Sequence, residues 1–203
     1  MSRVILASRN AAKLTELRRI LEPLVVGIEV LGLDDVDPFD EPAETEPTFE
    51  GNALIKARSC LAATGLPSLA DDSGLCVDAL NGMPGVLSAR WSGVAKDAGG
   101  DAANNALLLS QLGDVPDERR GATFRCAMAF CLPGGSEVVE TGEMSGRILR
   151  GERGEGGFGY DPLFAADGYD VSTAELAPAD KDRISHRGHA LAAIAPHVVA
   201  ALA

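Results

Sequence analysis

The chain has 203 residues, 46% of them hydrophobic, enough for one large domain or two lobes sharing a core. Aromatics make up only 4%, so Leu, Val, Ile and Ala must build most of that core. A formal net charge of −12 argues against general nucleic-acid binding, which needs a basic stripe against the phosphates, and any anionic ligand must meet a local positive pocket.

Arg3 to Ala7 reads as a short buried strand, and Leu14, Leu17, Ile20 and Leu21 recur behind it at helical spacing. Ile28 to Leu31 suggests a second strand, followed by an acidic, proline-containing loop from Asp34 to Pro47. Thr48 suits the N-cap of a helix running to about Thr64, with Leu54, Ala57, Leu61 and Ala62 on one face and Gly65 as its stop. A strand delivering Asp71 and Asp72 at its end comes next. Asp101 is expected to cap a helix through Leu112, ended by Gly113. Thr123 to Leu132 and Glu137 to Met144 flank Pro133-Gly134-Gly135 and read as a β-hairpin. Gly151 to Gly159 is a loop with five glycines in nine positions, and Ser185 to Ala203 is helical in character, with Ser185 as N-cap and Pro196 as a kink or break. No repeat or low-complexity linker interrupts the chain, so elements of both types are expected to share one central sheet. Cys60, Cys76, Cys126 and Cys131 lack CxxC spacing and read as reduced core residues rather than a zinc site. No signal-like or membrane-spanning run is present, and a soluble, cytoplasmic protein with no membrane partner is expected.

Four segments carry chemistry. Ser8-Arg9-Asn10-Ala11-Ala12-Lys13 sits where a strand gives way to a helix, a turn that points free N–H groups and the positive end of a helix dipole at an anion. In Leu69-Ala-Asp-Asp-Ser-Gly-Leu75, neighbouring side chains on an extended backbone face opposite ways, so Asp71 and Asp72 cannot both enter one pocket unless the strand has broken. Gly154 to Pro162 lets the backbone approach a ligand, with Phe158 and Tyr160 as flat faces for a heterocyclic base and Asp161 as a polar anchor. Lys181 to Gly188 concentrates positive charge, and His186-Arg187 in the first turn of a helix runs against the dipole, where acids are preferred. Glu44, with Glu41, Glu46 and Glu50 nearby, could converge with Asp72 on Mg²⁺. Each segment alone also suits an ordinary structural part: a capped turn, a polar strand end, a flexible hairpin tip, a solvated helix end or a solvated loop.

In combination they resemble the inosine triphosphate pyrophosphatase family, also called Ham1-like or non-canonical purine nucleoside triphosphate pyrophosphatases. The resemblance runs in order through Ser8-x-Asn10-x-x-Lys13, Glu44-Thr45 with Thr48-Phe49 and Asn52-Ala53, Ala70-Asp71-Asp72-Ser73-Gly74-Leu75, Gly82-x-Pro84-Gly85 with Ser88-Ala89-Arg90, Gly156 to Pro162, and Lys181 with Ser185-His186-Arg187. It implies an α/β fold with an elongated mixed central β-sheet and flanking helices, a single domain over 1–203 of two lobes with the nucleotide in the cleft between them, and a homodimer. It also implies roles. Ser8, Arg9, Asn10, Ala11, Ala12 and Lys13 would hold the phosphate tail; Glu44 and Asp72 would bind Mg²⁺; Asp72 would be the catalytic acid-base residue; and Ser73, Phe158, Gly159, Tyr160, Asp161, Lys181, His186 and Arg187 would contact substrate. Two departures stand out: Gly51 replaces the family's usual acid before Asn52-Ala53, and Glu46-Pro47 replaces the common Gly-x after Glu-Thr.

The implied reaction is Mg²⁺-dependent hydrolysis of ITP, dITP or XTP between the α and β phosphates, giving a monophosphate and pyrophosphate. A donor from His186-Arg187 would donate to the C6 oxygen of hypoxanthine or xanthine and reject the amino group of adenine, a mismatch able to discriminate by roughly 10⁴ or more. The alternatives are a Maf-like pyrophosphatase of modified pyrimidine triphosphates and a purine-nucleotide sensor without catalysis.

Overall fold

The computed structural model describes residues 2–202. Met1 and Ala203, the ends of the expected domain, lie outside the described residues, as does the side chain of Ala12. Six strands form one sheet in the order β2-β1-β3-β4-β5-β6: β1 (Arg3–Leu6), β2 (Glu29–Leu31), β3 (Ser68–Val77), β4 (Gly121–Cys131), β5 (Glu137–Ile148) and β6 (Phe164–Ala166). β1 pairs in parallel with both β2 and β3, whereas β5 and β6 run antiparallel, so the sheet is mixed. The helices are α1 (Ala11–Leu21), α2 (Phe49–Thr64), α3 (Gly100–Gln111), α4 (Pro178–Ile184) and α5 (His186–Leu202), and among the described residues no helix is long and apolar enough to cross a membrane. The chain divides into two compact units, one of Met1–Asp72, Cys126–Gly142 and Gly188–Ala203, the other of Ser73–Arg125 and Glu143–Arg187.

In the first unit the two-residue alternation of extended chain sorts the core into two layers. Val4, Leu6, Leu69, Cys126, Met128 and Phe130 pack with Leu17 and Leu21 of α1 and Leu191, Ile194 and Val198 of α5. Ala70, Ala127, Ala129 and Cys131 pack with Ala53 and Ala57 of α2 on the other face, and Ile5 packs with Cys60. Methyl-sized residues on both sides of that second contact allow α2 to lie close to the strands. The second unit has its own core, in which Leu75, Val77, Phe124, Met144, Ile148 and Phe164 meet Leu108 and Leu112 of α3. None of the four cysteines is joined in a disulfide.

Thr48 caps α2 by accepting from Gly51 N at 3.1 Å, and Gly65 ends it in a left-handed conformation, as expected. The buried face of that helix differs, however: Asn52, Ala53, Ala57 and Cys60 are buried, while Ala62 is exposed. β3 does not end at the two aspartates but carries them mid-strand. α3 begins at Gly100 on a Gly99 cap, because the Asp101 carboxylate is engaged elsewhere. Ser185 stands directly before His186, the first residue of α5, with the extended backbone of an N-cap, as expected; its hydroxyl also donates to Asp182 O at 3.3 Å at the end of α4, a short helix that the pattern of the sequence left unseen. α5 runs through Pro196, since Pro196 and Ala192, whose carbonyl loses its partner, both lie on the solvent side.

Candidate active site

Strand parity decides where the two acids go. Leu69 belongs to the α1 and α5 face and Ala70 to the α2 face, so Asp71 returns to the first face and Asp72 to the second. Asp71 is held by Lys13 of α1, whose Nζ lies 2.9 and 2.7 Å from its carboxylate oxygens. Asp72 is held by two residues of α2, Lys56 Nζ at 3.0 Å and Asn52 Nδ2 at 3.3 Å. Asn52 and Lys56 are one helical turn apart and therefore share a face of α2.

Lys56 also donates to Glu44 Oε1 at 2.9 Å, so one ammonium serves two carboxylates. The acidic loop is fixed to the same helix by Glu46 N, which donates to Asn52 Oδ1 at 2.9 Å. Asn52, fully buried, thus ties the loop bearing Glu44 to Asp72 through its two amide atoms. Burial pushes Asp72 up to about 6, helped by the negative charge of Glu44 and opposed by Lys56 and Asn52. Burial pulls Lys56 down, but the attraction of Asp72 and Glu44 outweighs it and its pKa is raised. The two shifts agree physically: Glu44, Lys56 and Asp72 together carry one excess negative charge, which burial makes costly.

That excess is also the test of a Mg²⁺ site. A hard divalent cation held by few protein ligands, completed by water and phosphate oxygens, fits two carboxylates that already share a positive charge. Among the described residues no group of three or more His, Cys, Asp or Glu side chains is placed to hold a metal ion. Lys56 is the site residue missed from the sequence. Its signal was present: a lysine four residues after Asn52, on the face of α2 that also carries Ala53 and Ala57.

The turn from Ala7 to Asn10 joins β1 to α1. Asn10 caps the helix by accepting from Lys13 N at 3.4 Å, and Ser8 Oγ accepts from Asn10 N at 3.2 Å. Arg9 reaches the acidic loop, with Nε 2.6 Å from Glu41 Oε1 and Nη1 3.4 Å from Asp34 Oδ1. Ala11 opens α1 on the exposed side, and Ala12 follows it in the helix.

In the second unit Phe158 stands half exposed, with Lys181 Nζ 5.5 Å and Arg187 Cζ 5.7 Å from its ring centre. Asp161 is buried and its carboxylate is used internally: it pairs with Lys181 and accepts from Thr173 Oγ1 at 2.9 Å and Phe158 N at 2.8 Å. It therefore places Lys181 and Phe158 rather than standing open. A Cβ on Gly157, at φ +74°, would strike the Asp161 carboxylate and Lys181 Nζ, so only glycine passes there. Tyr160 is buried, its hydroxyl donating to Ser88 O at 2.9 Å, so it is a strut and not an open aromatic face. His186 stacks on Phe124 at 5.0 Å between ring centres. Lys181 lies on α4 and His186-Arg187 on α5, so the basic cluster comes from two helices instead of one helix start. Ser73 follows Asp72 on β3, half-buried, at the start of the second unit. His189 is exposed, and His197 meets Glu140 at the surface at 3.1 Å.

The Ham1 family model matches residues 4–197. The chain belongs to the Ham1 family. It is 65% identical over 201 residues to the dITP/XTP pyrophosphatase of Nocardia farcinica, covering 98% of this chain and 96% of that protein. The protein of the same name from Mycobacterium tuberculosis is 57% identical over 197 residues, covering 97% and 95%. Among solved structures, the Mycobacterium abscessus nucleoside-triphosphatase, or dITP/XTP pyrophosphatase, superposes with a TM-score of 0.80 at 56% identity, covering 96% of this chain and 99% of that one. A HAM1 protein from Coxiella burnetii superposes at 0.88 with 38% identity, over 98% of each chain. The Ham1 fold accounts for the mixed sheet with flanking helices described above.

Proposed function

We propose that this chain is a nucleoside triphosphate pyrophosphatase that hydrolyses ITP, dITP and XTP to the monophosphate and pyrophosphate. The observation that carries the proposal is the partly buried sharing of Lys56 by Glu44 and Asp72, in a chain whose close relatives bear the name dITP/XTP pyrophosphatase. Ser8 to Lys13 and Lys56 take the triphosphate, and Phe158, Lys181, His186 and Arg187 take the base, with Ser73 as a further contact. Family resemblance extends the proposal to a cytoplasmic homodimer.

Glu44 and Asp72 would hold Mg²⁺, which when bound neutralises charge on the departing pyrophosphate. Lys56, released from its carboxylates, turns to the phosphate oxygens, and Lys13 adds charge beside the turn that offers its N–H groups. Asp72 orients the attacking water by accepting its hydrogen bond. Lys181 and Arg187 supply donors near the ring of Phe158, where an acceptor oxygen at C6 is satisfied and the amino group of adenine is not; a buried unmatched donor costs about 1–3 kcal/mol.

The experiment gives purified protein and Mg²⁺ dITP, XTP, dATP, dGTP and a modified UTP, and measures pyrophosphate beside Asp72→Asn. Preferential release from dITP and XTP with an inactive variant is expected. Equal cleavage of dATP, preference for the pyrimidine, binding without cleavage, or a fully active variant would each sink the proposal.

A further inference from the structure

Gly159, next to the half-exposed Phe158, is gripped at both of its backbone polar groups by one helix. Asp101 Oδ2 accepts from Gly159 N at 3.1 Å, and Asn105 Nδ2 donates to Gly159 O at 3.2 Å and to Glu152 Oε1 at 3.0 Å, so one amide ties both ends of the glycine-rich loop to the helix. The two side chains are four residues apart and so project from one face of α3. None of these bonds serves the helix, which starts on Gly99 without any side-chain cap. Asn105 is only 3% exposed, one turn from the buried Leu108. An apolar residue would be the cheaper choice for stability there, the more so because Asn105 Oδ1 has no hydrogen-bond partner among the described residues.

A buried amide retained at such cost needs a function, and the loop supplies one. Half the surface of Phe158 lies outside packing, and the contacts on its ring come from the long, flexible side chains of Lys181 and Arg187. Its direction therefore depends on the backbone on either side. On one side Phe158 N is held by Asp161 at 2.8 Å. On the other side stands a glycine at φ +61° with nothing within 4 Å of where a Cβ would be, a hinge unless its peptide groups are pinned. Asn104 extends the same support, its Nδ2 3.3 Å from Ser88 O, the atom that receives the Tyr160 hydroxyl.

We propose that Asp101 and Asn105 are positioning residues that fix Gly159 and thereby aim Phe158 at the base, so that they govern base affinity and selection without touching substrate; this rests on the assignment of Phe158 to the base. The test measures kcat and KM for dITP and dGTP with Asn105→Leu, Asp101→Ala, Asp101→Asn and Phe158→Ala in the full chain. Asn105→Leu suits its apolar surroundings, and Asp101→Ala leaves the α3 core untouched should the first variant fail to fold. Both are expected to raise KM for dITP about tenfold, the size of one to two lost hydrogen bonds, and to narrow the preference over dGTP with kcat nearly constant. Asp101→Asn keeps an acceptor oxygen and is expected to stay near the parent. Wild-type KM in both Asn105→Leu and Asp101→Ala, while Phe158→Ala raises it, overturns the inference and leaves the functional proposal standing. Loss of kcat in step with thermal stability, in Asp101→Asn as well, overturns it as a plain structural effect. An unchanged KM in Phe158→Ala removes the base platform itself and the inference with it.

Discussion

A Cβ on Gly51 would lie 2.6 Å from Glu46 Cβ and 2.8 Å from Glu46 Cγ, so the stem of the glutamate fills the space that any side chain at position 51 would need. The two departures that the family resemblance brings out are therefore coupled in space: the glutamate stem at position 46 fits only because position 51 has no side chain. Gly51 has no unusual backbone angle to explain it, so space is the reason.

Gly51→Ala should accordingly push the loop away from α2 and weaken the grip of Lys56 on Glu44. A loss of about 1–3 kcal/mol in urea unfolding is expected, the usual cost of overpacking, together with a higher Mg²⁺ requirement. Adding Glu46→Gly should restore most of both. Equal damage in the single and double variants would show that the two positions are not coupled.

Lys56→Met leaves Glu44 and Asp72 without their shared cation. Removing one partner of a largely buried pair is costly, and metal-free protein should lose about 2–4 kcal/mol near neutral pH. Saturating Mg²⁺ should recover much of that loss by supplying the missing charge, while turnover stays depressed because the ammonium no longer reaches the phosphates. Chemical denaturation with EDTA and with Mg²⁺ separates these effects. A variant that Mg²⁺ stabilises no more than the parent would remove the carboxylate pair as the metal site.

The spacing of α2 above the sheet rests on alanines, and Ala57→Leu tests whether that spacing matters for chemistry. Ala57 packs on the Ala70, Ala127 and Ala129 face, while Ala195 of α5 packs on the opposite face. Ala57→Leu and Ala195→Leu should each cost about 1–3 kcal/mol of stability. Only Ala57→Leu should lower kcat strongly, since it lifts Asn52 and Lys56 from Asp72. Equal kcat values in the two folded variants would contradict this.

Local chemistry was legible in the sequence where one segment determines it. Thr48 and Gly65 bound α2 because capping is a local interaction, and the alternation of Asp71 and Asp72 follows from extended backbone alone. For Lys56 the spacing after Asn52 placed it on the right face of α2, but its role was not legible, since its partners come from a loop and a strand 12 and 16 residues away. Asp101 misled for the same reason: an acid in a first turn looks like a cap until Gly159, 58 residues on, takes its carboxylate. Tyr160 looked like a face for a base, yet its hydroxyl bond to Ser88 O, 72 residues away, makes it a strut.

Arg120 shows the same limit on the side of stability. Only 2% exposed, it spends its guanidinium on main-chain carbonyls: Nε donates to Ile148 O at 2.8 Å, Nη1 to Leu112 O at 2.6 Å and Nη2 to Leu149 O at 2.8 Å. Burial lowers its pKa, but the planar fork meets the C-terminal end of α3 and the end of β5 at once. Arg120→Met would fill the volume and leave three carbonyls short of a donor, so a loss of about 3 kcal/mol or more is expected. Arg120→Lys should recover only part of it, because one ammonium cannot span three acceptors set for a guanidinium. Urea unfolding of the three proteins checks the order, and a lysine variant as stable as the parent would mean that charge, not the fork, is what this position requires.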